Sequence, residues 1–349
     1  MKLVESINLK NIRGDITGGI TAAIVALPFA LAMGLASGAG AEAGLYGAII
    51  TGFFAAIFGG TPAQVSGPTG PMTIVMSLIV TKYLALYPDS GLALAFFTVF
   101  LAGLFQICFG LLKLGKYINL MPHAVISGFM TGIGVIIIVL QLPQILGFYE
   151  IKGSTLNIFS ELGNVGQLFS NFGAISLAII TLIIIYLLPK RITKIIPSPL
   201  VALTFGTLIL LMLPEYFASN SEQYSQMILG DIPTGLPSFQ LPVIELSIIS
   251  EVIISALTLA ILGSIDSLLT SLVADEITRT QHDSNKELIG QGIGNTLSGL
   301  FGGLPGAGAT MRTMANVKSG GLTPISGSLH AILLLMIVLG GSKFASHIP

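Results

Sequence analysis

The chain has 349 residues, 53% of them hydrophobic and only 9% charged, with a formal net charge of −1 at pH 7 and a mean hydropathy of +0.90. Soluble domains carry roughly 25% charged residues, so this composition belongs in a membrane. It excludes a nucleic-acid reader, which needs a basic patch with interleaved aromatics. The single Cys108 excludes an internal disulfide.

In chain order, residues 1–15 read as a short polar arm with Lys2, Lys10 and Arg13, and no cleavable signal peptide is expected. A first apolar span follows at 16–37, interrupted by Pro28, and a second at 43–58. A loop rich in glycine and proline occupies 59–71. Spans three and four are expected at 72–86 and 91–112, the fifth at 125–142, and a mixed, interfacial stretch at 146–170. The sixth and seventh are placed at 174–188 and 200–213. A polar connection at 214–247 carries Glu215, Glu222, Asp231 and Glu245. The eighth and ninth spans fall at 248–273 and 288–301. A second glycine-rich loop then opens a short tenth span ending near Lys318, and the eleventh covers 322–339. Most approach the ~20 residues that cross a bilayer; the third, seventh, ninth and tenth are short.

Charge supports this count. With the N-terminus in the cytoplasm, the inside segments collect Lys2, Lys10, Arg13, Lys113, Lys116, Lys190, Arg191, Lys194, Arg279, Lys286 and Lys318, which is 11 of the 15 basic residues. Lys82, Lys152 and Lys343 fall outside. A count wrong by one would scatter the cations over both faces.

The two loops carry the functional signal. Phe58-Gly-Gly-Thr-Pro62 and Phe301-Gly-Gly-Leu-Pro305 repeat one pattern in two halves of the chain. Each follows an apolar span and leads into a new one. Glycine and proline release backbone groups that lipid cannot satisfy, and broken segments at matching places point to a transporter binding site. Each loop also begins a short helix, whose N-terminus presents free N–H groups and a partial positive charge suited to an anion. Thr69 and Thr310 could add hydroxyl donors. Close helix packing would account for one glycine-rich stretch, but not for a duplicated one.

Two ionisable residues, Asp266 and Arg312, sit well inside apolar spans, where a charge is a functional hypothesis by default. Asp266 and Thr270 share a helical face at i,i+4. A carboxylate, a hydroxyl and freed carbonyls make a hard-oxygen site for Na+, or a protonatable one; a buried Asp bonded to a neighbouring helix or to Arg312 is the plainer reading. Arg312, within a turn of the second short helix, either adds positive potential at the site or pairs with a carboxylate or a lipid headgroup. Lys82, Glu251, Asp275 and Glu276 lie near helix ends. Gly110-Leu-Leu-Lys-Leu-Gly115-Lys116 imitates a phosphate loop, but Tyr117 stands where Ser or Thr is needed and no strand precedes it. The four histidines show no metal-ligand spacing, and no Ser-His-Asp or Cys-His set assembles from the sequence.

Pro68-Thr69-Gly70-Pro71-Met72, the run from Asp266 to Asp275, Ser284-Asn-Lys-Glu-Leu-Ile-Gly-Gln-Gly292 and Gly306-Ala-Gly-Ala-Thr310 together resemble the sulfate permease (SulP) family of anion transporters, and within it the cyanobacterial sodium-dependent bicarbonate branch. The resemblance covers nearly the whole chain from Asn11. It implies an all-α membrane protein of the inverted-repeat 7+7 type, with half-helices at spans three and ten meeting at the bilayer midplane, truncated here after about eleven spans. The family continues through three more helices and a cytoplasmic STAS domain. The implied domains are a core at 1–122 (spans 1–4) and 248–349 (spans 8–11), gate helices at 123–213 (spans 5–7) and an extracytoplasmic connection at 214–247. Carried over by motif, Thr69 and Ala309 would contact the anion and Asp266, Thr270, Gly308 and Thr310 would hold Na+; Gly70 and Arg312 are further candidates for the anion, Arg312 resembling the arginine common in the wider family rather than the bicarbonate branch. Phe29 follows Pro28, where sulfate-type members usually carry Gln.

The expectation is therefore a secondary active inorganic anion transporter in a bacterial inner membrane, taking up bicarbonate with Na+ by an elevator-type movement. No organic cofactor, nucleic-acid partner or enzymatic activity is expected, and the oligomeric state stays open, a homodimer among the options. Proton-coupled sulfate or dicarboxylate transport and a nucleobase permease of the same fold are the alternatives. A channel would need more pore-lining charge than one Asp and one Arg. A membrane scaffold would have no reason for two matched broken helices.

Overall fold

The structure, a computed structural model, describes residues 9–120, 172–189, 198–217, 235–240 and 245–340, with isolated positions between 124 and 146 and at 192, 224 and 228. Apart from those positions, the expected fifth span at 125–142, the stretch 146–170 and most of the connection 214–247 lie outside the described residues, as do Lys2, Lys152, Lys190, Arg191, Lys194 and Lys343.

Among the described residues the helices are α1 (Ile12–Ala36), α2 (Ala41–Phe58), α3 (Gly70–Leu86), α4 (Gly91–Leu111), α5 (Phe172–Leu187), α6 (Ser198–Met212), the single turn α7 (Pro214–Phe217), α8 (Ile249–Thr278), α9 (Ser284–Leu300), α10 (Thr310–Lys318) and α11 (Pro324–Gly340). Four of them, α1, α2, α4 and α8, are long and apolar enough to cross a membrane, and α3, α5 and α11 are shorter apolar helices. Helix is what lipid imposes, since it satisfies the backbone within one segment. Two short strands, β1 (Ser66–Gly67) and β2 (Ala307–Gly308), pair antiparallel with Ser66 opposite Gly308 and Gly67 opposite Ala307. The sequence did not announce this ribbon.

The chain divides into two compact units. One comprises Met1–Ile126 and Gly235–Leu339, the other Ser127–Thr234 and Gly340–Pro349. In the second, α5 and α6 pack around Ala174, Leu177, Leu210 and Phe217. The first holds a core of Met72, Met76 and Val80 from α3, Leu94 and Val99 from α4, Ala256 and Leu259 from α8, and Leu304 and Ala307 from the second glycine-rich loop. The second repeat's loop is thus built into packing that the first repeat begins.

The faces of α1 show the membrane pattern. Ile16, Ile20 and Ile24 recur every four residues and are exposed, whereas Ala22, Ala26 and Ala30 are buried. Lipid is as apolar as leucine, so helices associate through close van der Waals contact and hydrogen bonds. The α4–α9 contact illustrates this: a Cβ on Gly292 would lie 2.6 Å from the Gly103 carbonyl, so the two backbones approach as only glycine permits.

Three expectations need correction. Pro28 does not interrupt the first span; it sits inside the continuous helix α1, because its missing N–H leaves only one carbonyl short of a partner. The polar arm ends earlier than expected: α1 begins at Ile12, and Asp15 is fully buried. The ninth helix begins at Ser284 rather than 288, which draws Glu287 into the interior.

Asp15 shows why a carboxylate survives there. It accepts hydrogen bonds from Leu322 N at 2.9 Å, Thr323 N at 3.0 Å and Thr323 Oγ1 at 2.8 Å. These are the otherwise unpartnered donors just ahead of α11, so α1 caps the last described helix from 308 residues away. We expect Asp15→Ala to lower stability by about 1.5–3 kcal/mol, the range for hydrogen bonds to a charged group, and Thr323→Val to cost less. Thermal unfolding of the detergent-solubilised protein checks this; an unchanged Tm for Asp15→Ala would remove the cap from the account.

Candidate functional site

The two glycine-rich stretches, 59–69 and 301–309, are non-helical and lie side by side. Beyond the ribbon, Ala309 N donates to Val65 O at 2.9 Å. Because β1 and β2 run in opposite directions, α3 leaves the ribbon at one end and α10 at the other. Thr69 is the residue preceding α3, with extended backbone (φ −121°, ψ 158°), and Ala309 occupies the same position before α10 (φ −98°, ψ 104°). Neither caps its helix with its side chain. Thr73 N bonds Thr69 O and Thr313 N bonds Ala309 O. The earlier N–H groups, on Gly70 and Met72 of α3 and on Thr310, Met311 and Arg312 of α10, have no acceptor within their helices; Pro71 has no N–H. These five donors and two positive helix ends belong to helix starts that both reach one further helix, through Thr69 and Thr310.

That further helix is α8. Asp266, 4% exposed, accepts a hydrogen bond from Thr69 Oγ1 at 2.7 Å on Oδ2, and Oδ1 accepts none among the described residues. One turn on, Thr270 Oγ1 donates to Gly308 O at 2.8 Å and lies 2.8 Å from Thr310 Oγ1. Ser267, between them in sequence, accepts from Gly308 N at 3.0 Å. Two hydroxyls and a carbonyl thus meet, with the Asp266 carboxylate one helical turn from Thr270 on the same side of α8. That donor set suits a hard cation such as Na+ and offers nothing to a softer metal. Among the described residues no cluster of three or more His, Cys, Asp or Glu exists. A side chain on Gly308 would run into the Gln64 amide, so the carbonyl reaches Thr270 only because glycine is there.

For Arg312 the structure narrows the two sequence readings. It is 4% exposed, which rules out a lipid headgroup, and its Nη2 donates to the Pro68 carbonyl at 2.5 Å. No ion pair joins it to Asp266 among the described residues, although the two charges interact at longer range. Its Nη1 has no hydrogen-bond partner. The guanidinium of the second repeat thereby braces the backbone immediately before Thr69 of the first.

Every candidate residue from the sequence, Thr69, Gly70, Asp266, Thr270, Gly308, Ala309, Thr310 and Arg312, falls in this one region. Thr69, Gly70 and Thr310 are half-buried and form its accessible mouth; the others are buried. The sequence reading missed Ser267, Gln64, Asn295 and Glu287. Asn295 of α9 bonds both the N–H and the carbonyl of Gly306, at 2.7 and 2.8 Å. Glu287, 1% exposed, accepts from Gly60 N and Thr61 N. For Glu287 and Asn295 the signal was the polar positions Glu287, Gln291 and Asn295, four residues apart on one face of α9. The structure also assembles a Ser-His-Asp set that spacing did not reveal. His282 Nδ1 lies 2.7 Å from Asp275 Oδ2 and its Nε2 2.8 Å from Ser284 Oγ, tying the end of α8 to the start of α9.

Comparison with known proteins places this geometry. Residues 12–349 match the sulfate permease family. The bicarbonate transporter BicA of Synechocystis sp. is 52% identical over 351 residues, covering 100% of this chain and 60% of the relative, so the chain spans less than two thirds of that protein. The solved transmembrane domain of a cyanobacterium bicarbonate transporter BicA superposes with a TM-score of 0.89 at 50% identity, over 100% of this chain and 88% of that one. The structure of SLC26A9, at 22% identity and a TM-score of 0.82 over 98% of this chain and 56% of that one, bears on the fold alone. The fold is the all-α inverted-repeat type that the family resemblance implied, and the chain belongs to the sulfate permease family.

Proposed function

We propose that the protein carrying this chain is a secondary active transporter that takes up bicarbonate together with Na+ across a bacterial inner membrane, its N-terminus cytoplasmic. The observation that carries the reading is the Thr69–Asp266 hydrogen bond, which joins the helix end facing an anion to the carboxylate facing a cation. The bicarbonate transporters similar to this chain support the substrate.

In this reading the anion sits between the starts of α3 and α10. Its oxygens accept from Gly70, Met72, Thr310 and neighbouring N–H groups, with Ala309 packed against it. Thr69 Oγ1, already donating to Asp266, remains an acceptor for the O–H that bicarbonate carries. The co-transported Na+ takes Asp266, Thr270 Oγ1, Gly308 O and Thr310 Oγ1, the hydroxyls turning their lone pairs inward. Asp266 alone repels an anion: two like charges about 6 Å apart at an effective dielectric of about 20 cost roughly 3 kcal/mol. A cation on the carboxylate cancels that cost, which is a coupling of roughly 100-fold in affinity. All eight residues lie in one compact unit. This suits an elevator in which a core of 1–122 and 248–349 carries the site against gate helices at 123–213, with 214–247 as the extracytoplasmic connection.

Buried Arg312 favours one second reading, proton-coupled transport of sulfate or a dicarboxylate, since a full positive charge beside the site would suit a dianion. Uptake of radiolabelled bicarbonate and sulfate by the intact protein, with and without Na+, separates the two. Sulfate uptake without Na+ dependence would replace the first reading by the second.

Three variants probe the assignment. Asp266→Asn should fold and lose Na+ stimulation of uptake, the amide lacking the charge that draws a hard cation; a parent-like Na+ response would move the cation site elsewhere. Arg312→Ala should weaken apparent anion affinity about tenfold while Na+ dependence persists, as for loss of one nearby charge. Unchanged affinity for both anions would confine Arg312 to bracing Pro68. Gly308→Val should reach the membrane yet transport nothing, because its side chain displaces Gln64 or the carbonyl. Parent-like uptake by that variant would clear Gly308 of any part in the site.

A further inference from the structure

Glu287 lies on α9, outside the proposed binding region, yet its carboxylate is the most heavily bonded group near it. Oε2 accepts from Gly60 N and Thr61 N, both at 2.9 Å. Oε1 accepts from Gln64 Nε2 at 2.7 Å and Gln291 Nε2 at 2.8 Å. Four donors converge on one buried charge, and three of them belong to the first broken segment. The bonds continue outward. Gln64 Oε1 accepts from Ser271 Oγ of α8 at 3.0 Å, and Thr61 Oγ1 donates to the same Ser271 at 2.7 Å. Gln291 Nε2 also bonds Ser66 Oγ, inside the ribbon. The Gln64 amide lies directly against Gly308, filling the space that a side chain there would need.

Removing this carboxylate would leave backbone N–H groups unpaired in a dry interior, which is costly. Isolated buried charges are rare because they need this degree of pairing. The pairing is not local: it fixes Gly60–Gln64, which leads to Thr69, and through Gln64 it fixes the backbone on which the Gly308 carbonyl is presented.

We propose that Glu287 is a positioning residue for both halves of the transport site, holding the first broken segment directly and the second through the Gln64 amide. The proposal rests on the anion- and cation-site reading above. Its readout is the KM of whichever anion the parent protein transports, so an absence of Na+-dependent bicarbonate uptake would sink that reading and leave this one testable.

Exchanging the two ends of the Glu287–Gln64 pair provides the test, with uptake by the intact protein normalised to membrane abundance. In Glu287→Gln an amide NH2 faces either the Gly60 and Thr61 N–H groups or the Gln64 and Gln291 amides. In Gln64→Glu two carboxylates face each other. Each single variant should raise KM about tenfold, the effect of one buried group left unpaired. In the double variant the oxygen of the new amide at position 287 accepts from Gly60 and Thr61. Its NH2 donates to the new carboxylate at position 64 and to a flipped Gln291, whose oxygen also takes the Ser66 hydroxyl, and Ser271 still donates to that carboxylate. KM should return to within about threefold of the parent. A double variant no better than the worse single one would overturn the proposal, as would single variants that lower abundance while KM stays at the parent value. Gln64→Met, which adds no charge and leaves the Gly60 and Thr61 bonds intact, covers the case in which the charge variants fail to fold. It should raise Na+ half-saturation, or KM where the parent is Na+-independent, about tenfold; parent-like values would show that nothing is transmitted through Gln64.

Discussion

The structure depends on one constraint: backbone that is not helical, deep in a membrane protein, must find every hydrogen-bond partner within the protein. Two such stretches exist here, and they satisfy each other first. The Ser66–Gly67 and Ala307–Gly308 ribbon and the Ala309–Val65 bond pair groups that neither stretch could pair alone. What the ribbon leaves over is met from the helices. Thr313 Oγ1 takes Val65 N, Asn316 Nδ2 reaches Ala63 O, and Ser298 Oγ reaches Leu304 O. The donors at the starts of α3 and α10 are left without an acceptor in their own helices, and such donors at a helix end are what an anion needs. Structure and function follow from the same count of backbone groups.

The buried charges obey the same rule. Asp15 and Glu287 survive in the interior because each accepts several hydrogen bonds, largely from backbone just ahead of or within a non-helical segment. Asp266 differs, holding one described hydrogen bond and one free oxygen. Arg312 likewise has one nitrogen bonded and one unpartnered. The saturated pair shapes the scaffold, and the unsaturated pair borders the proposed site. Incomplete satisfaction thus separates groups that hold the fold from groups that await something else.

Much of this was legible in the sequence. The Phe-Gly-Gly-x-Pro repeat located both broken segments because glycine and proline cannot hide in an apolar run. Asp266 and Thr270 declared themselves by their four-residue spacing. The helix edges carried less signal. Asp15 and Glu287 read as residues just outside a span, since hydropathy cannot distinguish a carboxylate facing water from one facing four N–H groups. The ribbon was invisible for a different reason: two residues make no period, and its partners are separated by most of the chain. The Asp275–His282–Ser284 set escaped sequence reasoning because Asp275 lies across a helix end from His282.

The long reach of these pairings bears on how the molecule is made. Chains leave the ribosome at about 5–20 residues per second. The donors that satisfy Asp15 lie 308 residues later, so they emerge roughly 15–60 s after it does. For about four fifths of that interval the first broken segment has no second segment to pair with. Its polar backbone must therefore wait in or beside the bilayer as an unfinished half, sheltered by water, headgroups or an insertion factor. The first repeat can enter the membrane early, but it cannot be completed until the second arrives. Biogenesis thus includes a closing step that joins the two halves, and a lesion in either loop would stall it as well as disturb transport.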